Sequence, residues 1–255
     1  MLYLVGLVTM ALAGAVLIPG ISEDGTDDDD IIIGGDGDDT LSGGNGADFL
    51  DGAMGNDLLS GEDGEDELHG GEGDDQLSGE SDADYLAGHI GDDLMNGGSG
   101  DDNLIGGSGN DEMYGGEGND ALLGSLGDDV MDGGSGADVL NGGSGSDELY
   151  GGEDTEQDFL NGGAGEDILH GAADDNLNGG TGQDVFMISS GIAGPVTIDD
   201  LTDEDVLVVN YSGEPPTLSS NQTDDGLMLQ ADGTDLAELR HLSEFDMSRV
   251  QLVKL

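Results

Sequence analysis

The consecutive segments GGDGDDTLS (34–42), GGNGADFLD (43–51), GAMGNDLLS (52–60), GEDGEDELH (61–69) and GGEGDDQLS (70–78) are versions of one nine-residue pattern. It runs on as seventeen units to GGTGQDVFM, which ends at Met187. Fifteen units are nonapeptides, unit 151–161 has two extra residues, and unit 171–178 lacks one. Position one is Gly and position six is Asp in every unit, position four is Gly in fourteen, and position eight is Leu, Met or Phe throughout. A fixed short period of this kind marks a solenoid, in which each unit stacks only on its neighbours.

Composition narrows the function. Of 255 residues, 59 are Asp or Glu and 3 are Lys or Arg, giving a formal net charge of −56. Arg240, Arg249 and Lys254 all lie in the last sixteen positions, so nothing before them can neutralise the carboxylates by salt bridges. Phosphate backbones and anionic lipid surfaces repel such a chain, which excludes nucleic-acid binding. Cysteine and tryptophan are absent, so neither disulfides nor bulky aromatics stabilise the fold. Glycine supplies 51 residues, and 42 of them fall at positions one, two and four of a unit. That placement argues for tight turns rather than compositional disorder.

In each unit the position-eight side chain (Leu41, Leu50, Leu59, Leu68, Leu77 and onward) faces one way, while positions seven and nine are mostly small or polar and face the other. The core is then a single ladder of Leu and Met. Each rung contributes about 2 kcal/mol when buried, against an ordering cost of ~1–2 kcal/mol for every backbone residue. The solenoid requires a further ligand.

The pattern GGxGxDxUx, with U a large apolar residue, resembles the RTX, or haemolysin-type, calcium-binding repeat of bacterial proteins. The resemblance implies an all-β fold, a right-handed parallel β-roll over residues 34–187. In the family the first six residues of a unit form a turn, the last three a short strand, and two units complete a coil. Oxygen donors without His or Cys select a hard cation, and calcium accepts six to eight flexible oxygens where magnesium demands a tight octahedron. As the resemblance implies, each position-six Asp shares a calcium ion with loop carbonyls and with the Asp two units later. The implied ligands are Asp39, Asp48, Asp57, Asp66, Asp75, Asp84, Asp93, Asp102, Asp111, Asp120, Asp129, Asp138, Asp147, Asp158, Asp167, Asp175 and Asp184. Asp158 and Asp175 lie in the irregular units. Seventeen residues paired in this way give at most fifteen ions in two rows. Distorted sites are expected where position four is Asp82, Asp154 or Asp174, or where position two is Glu62, Glu80 or His89.

The ends differ. Residues 2–18, LYLVGLVTMALAGAVLI, are long and apolar enough to cross a bilayer and lack the basic start of a signal peptide. We read 1–21 as an apolar helix acting as a membrane anchor or signal segment, and 22–33 as an acidic linker. Residues 188–255 read as a β-rich cap with strands near 196–198, 206–209, 227–229 and 250–253. The resemblance adds a type I secretion signal at the extreme C-terminus. These readings place the repeats outside the cell or on its surface, where calcium is plentiful.

No catalytic constellation is present. His69, His89, His170 and His241 are isolated along the chain, and neither a His-Glu-x-x-His nor a Gly-x-Ser-x-Gly pattern occurs. The expectation is a noncatalytic, calcium-dependent spacer or adhesion module whose protein or glycan partner is unspecified. The alternative is an accessory module of an extracellular hydrolase or a secretion system.

Overall fold

A computed structural model describes residues 22–152, 154–190 and 192–255. Among the described residues, successive strands alternate between two sheets, one of twelve strands and one of thirteen, and neighbours within the solenoid are parallel. Each strand therefore pairs with the strand two units away, as when Leu104 stands beside Leu86 and Leu122. Register is eighteen residues through the regular units. It becomes twenty across the insertion, where Leu140 pairs with Leu160, and seventeen across the deletion, where Leu160 pairs with Leu177. Both irregularities are absorbed in turns, so the apolar ladder stays aligned. All seventeen position-eight side chains, from Leu41 to Phe186, lie in one core.

The strands are longer than the resemblance implies. Thr40–Asn45, Asn103–Ser108 and their equivalents have six residues, comprising positions seven to nine of one unit and one to three of the next. Only positions four to six turn. Burial alternates accordingly, with positions eight and one facing inward. The extension is possible because position one is Gly, so two backbones approach where a side chain would not fit.

The acidic linker expected at 22–33 is corrected. Ser22–Asp24 pairs with Thr40–Asn45, and Ile31–Asp36 pairs with Phe49–Met54 in the register of the repeats. Gly25, Asp30 and Ile32 occupy positions one, six and eight of a further unit, hidden in the sequence because its turn reads TDDDD rather than GxGxD. The apolar helix and membrane segment expected at 1–21 lie outside the described residues. Among the described residues no helix is long and apolar enough to cross a membrane.

Beyond the repeats, Val185–Ser189 pairs with Val206–Tyr211, which pairs with Val250–Lys254. The other sheet ends in an antiparallel meander, Leu218–Gln222, Gly226–Ala231 and Thr234–Arg240. The core widens here to include Ile188, Val196, Ile198, Leu207, Val209, Leu229 and Leu239. The four expected short strands fall inside observed ones, whereas 218–222 and 234–240 were too polar to be read as strands.

Candidate functional site

All seventeen position-six aspartates are buried, none more than 4% exposed. The three-residue turn places them there, because the residue after it starts a strand whose N–H is held by the coil below, as Leu58 N–H donates to the Asp39 carbonyl. The solenoid stacks them in two rows, one along each side. One row runs Asp39, Asp57, Asp75, Asp93, Asp111, Asp129, Asp147, Asp167 and Asp184, and continues to Asp205. The other begins at Asp30 and runs through Asp48, Asp66, Asp84, Asp102, Asp120, Asp138 and Asp158 to Asp175. Within a row, each backbone N–H donates to Oδ1 of the next Asp at 2.7–3.1 Å. Asp30 and Asp205 were absent from the sequence reading. The signal for Asp30 was its place nine residues before Asp39; Asp205 lies outside the period and gave none.

The second carboxylate oxygen is different. Oδ2 of Asp48, Asp57, Asp66, Asp75, Asp84, Asp93, Asp102, Asp111, Asp120, Asp129, Asp138, Asp147 and Asp167 is buried with no hydrogen-bond donor. It sits over the position-one glycine of its own unit. A methyl group on Gly52 would collide with Oδ2 of Asp57 and stand 2.7 Å from the Gly70 carbonyl oxygen, and Gly79 and Gly97 repeat the arrangement with Asp84 and Asp102. Position one lacks the positive φ of positions two and four, such as 119° at Gly107 and 134° at Gly109, so its glycine serves close approach and theirs serves turn geometry. Carboxylate and carbonyl oxygens thus converge on a space with no protein donor, whose chemistry fits a hard cation. Among the described residues no three His, Cys, Asp or Glu side chains converge on one point. A cation here draws on backbone carbonyls as well as carboxylates.

Burial, then repulsion from the Asp residues above and below, pushes these carboxyl groups up against the lowering effect of the N–H bond. Asp84, Asp111, Asp120, Asp147 and Asp158 rise to about 7. Asp66, Asp75, Asp93, Asp138 and Asp184 rise to about 6. Three turns satisfy the second oxygen from the protein, the first at Asp30, whose Oδ2 accepts from Thr26 N–H and Oγ1 at 2.8 and 2.9 Å. Oδ2 of Asp175 accepts the Ala172 N–H at 2.7 Å, and Oδ2 of Asp205 accepts from Thr202 N–H and Oγ1 at 2.6 and 2.8 Å.

A second ladder went unread. Position five carries Asp or Asn on one side from Asp38 through Asn56, Asp74, Asp92 and Asn110 to Asp128, and each Oδ1 accepts the position-five N–H of the following coil at 2.7–3.2 Å. It runs opposite to the buried rows and stays in solvent. Three of the four histidines isolated along the chain have partners in space. His69 lies against His89, and His170 stacks on Tyr150 with its Nε2 3.1 Å from Glu148. Spacings of about twenty residues bring such pairs onto neighbouring strands.

The family model described as the RTX calcium-binding nonapeptide repeat matches residues 24–59, 60–95, 88–122, 96–131, 123–155 and 154–186. No curated protein matches the chain. Among solved structures, the extracellular lipase LipA from Serratia marcescens is 19% identical, with 82% of this chain and 45% of that one covered and a TM-score of 0.28. The chain spans less than half the length of that lipase.

Proposed function

Because the chain belongs to the RTX calcium-binding nonapeptide repeat family, we propose that it is a noncatalytic module, secreted or held at the cell surface, whose β-roll folds when calcium fills the two Asp rows. The ligands are the seventeen position-six aspartates, Asp39 through Asp184, together with turn carbonyls, for at most about fifteen ions. Thirteen buried Oδ2 atoms without a donor support this reading most directly. Such oxygens in apolar surroundings are costly unless a positive charge meets them. Calcium supplies that charge, and no Lys or Arg precedes Arg240 to do so. Binding and folding are then one equilibrium. The calcium outside a cell turns an extended polyanion into a stiff rod able to act as a spacer or adhesion element.

A calcium titration of the chain, followed by far-ultraviolet circular dichroism with magnesium as control and by ion counting in native mass spectrometry, tests the proposal. Cooperative gain of β signal with calcium alone, reversed by chelator and accompanied by several bound ions, is expected. A β spectrum that is complete in chelator and indifferent to calcium would overturn it.

A further inference from the structure

The outer face of the thirteen-stranded sheet carries a cluster that the Asp rows do not use. Phe49, His69 and Tyr85 stand on three neighbouring strands, with ring centroids 5.3 Å apart for Phe49 and His69 and 5.8 Å for His69 and Tyr85. His69 also stacks on His89 at 5.1 Å, and Nδ1 of His69 is 2.8 Å from Nε2 of His89. Its other nitrogen, Nε2, lies 3.0 Å from Oε1 of Glu67. Phe49, Asp51, His69, His89 and Ile90 line an open groove of about 720 Å³.

A carboxylate can only accept, so Glu67 fixes the His69 proton on Nε2 and leaves Nδ1 with its lone pair. Metal-binding histidines ordinarily present this arrangement, with a carboxylate on the distal nitrogen that sets the tautomer and raises the basicity of the other. The lone pair faces Nε2 of His89. His89 is held there at φ 80°, in the left-handed region, at a position where eleven of the seventeen units have Gly. The same φ recurs at position two in Ala53, Glu62, Glu80 and Ser125, so it belongs to the repeat and the site rests on the nitrogen geometry.

We infer that His69 and His89 form a two-nitrogen site for a borderline divalent transition ion, of the class of Cu²⁺, Ni²⁺ and Zn²⁺, with Cu²⁺ bound most strongly. His89 moves its proton from Nε2 to Nδ1, and the freed nitrogen takes the ion jointly with Nδ1 of His69, so no net proton is released. Solvent completes the coordination, because among the described residues no third His, Cys, Asp or Glu side chain converges there. Calcium prefers oxygen donors and does not compete for imidazole. The site is therefore separate from the Asp rows.

The test uses the full chain saturated with calcium and less than one equivalent of Cu²⁺, read by electron paramagnetic resonance. Hyperfine structure from two equatorial nitrogens is expected, together with loss of that signal in His89→Gly and about 10–100-fold weaker binding in Glu67→Gln. His89→Gly restores the residue most units carry, so the circular dichroism of the calcium-saturated protein should not change. If it does change, His69→Ser serves instead, since Ser42, Ser60 and Ser78 occupy the same position in other units. An oxygen-only spectrum in the unmodified protein would overturn the inference. So would a two-nitrogen spectrum surviving in both His variants.

Discussion

Replacing one buried carboxylate by an amide should have opposite effects with and without calcium, and Asp120→Asn is the sharpest case. Oδ1 of Asp120 accepts the Asp102 N–H at 2.8 Å, a bond an amide oxygen keeps. Its Oδ2 is buried without a donor, above Gly115 and near the Gly133 carbonyl, and an amide there carries no charge to bury. Burial first, then Asp138 and Asp102, push the Asp120 carboxyl from 3.8 up to about 7. In the ion-free fold at neutral pH, keeping it ionised costs roughly 4 kcal/mol. The folded form holds this proton more tightly than the unfolded one, so stability falls as pH rises between 3.8 and about 7 and is flat beyond. Chelated protein titrated from pH 8 down to 3.5 should therefore gain β structure through pH 7 to 5, protons taking the place of calcium. Asp120→Asn should move that midpoint to higher pH. With calcium present the same variant should bind one or two fewer ions and unfold at lower urea. Asp128→Asn makes the same change of charge on the exposed position-five ladder and controls for relief of the −56 net charge. Equal midpoint shifts in the two variants would refute the argument from burial.

Three further outcomes follow from the same geometry. Gly97→Ala should weaken calcium binding although Gly97 lacks a positive φ, because its methyl collides with Oδ2 of Asp102; native mass spectrometry should show at least one ion lost, whereas Ser99→Ala on the outer face should lose none. Leu104→Ala, at the centre of the single-file core, should cost about 2–5 kcal/mol in the calcium-loaded form by urea denaturation, with the ion count preserved. Arg249→Gln should lower the stability of the C-terminal strands by about 1–3 kcal/mol, read by hydrogen exchange at Leu207 and Val209, since Arg249 Nη2 bonds the carbonyls of Thr202 and Asp205.

The period made the solenoid legible because its strongest signals, Asp at six and an apolar residue at eight, are the two groups that face inward across the turn and the strand. It misled at position one. Glycine there looks the same in sequence whether it serves a left-handed φ or a close approach, and only the packing of Gly52 against Asp57 separates them. The unit beginning at Gly25 was hidden because Thr26 and Asp28 stand where Gly is usual, although Asp30 and Ile32 kept the inward pattern. Stacking in three dimensions decided the remainder. The His69–His89 contact and the opposed position-five ladder join residues eighteen to twenty apart, a relation visible only once the coil length is known.

The end of the solenoid shows what the rows lack. At Asp205 the ladder leaves the repeat, and there the second carboxylate oxygen takes two donors from Thr202 in place of none. Arg249, one of three cationic side chains in the chain, closes over the same turn through the carbonyls of Thr202 and Asp205, with Asp203 3.2 Å from Nη1. Arg240, on the other sheet, pairs with Asp199 at 3.2 Å. The protein thus supplies its own donors and positive charge where the rows stop, and leaves thirteen oxygens without either where they run. A chain able to satisfy every carboxylate internally would fold wherever it was made. On the function proposed above, confining Arg240 and Arg249 to the last coils would leave the fold of the earlier ones conditional on an external cation, as a calcium-triggered rod requires.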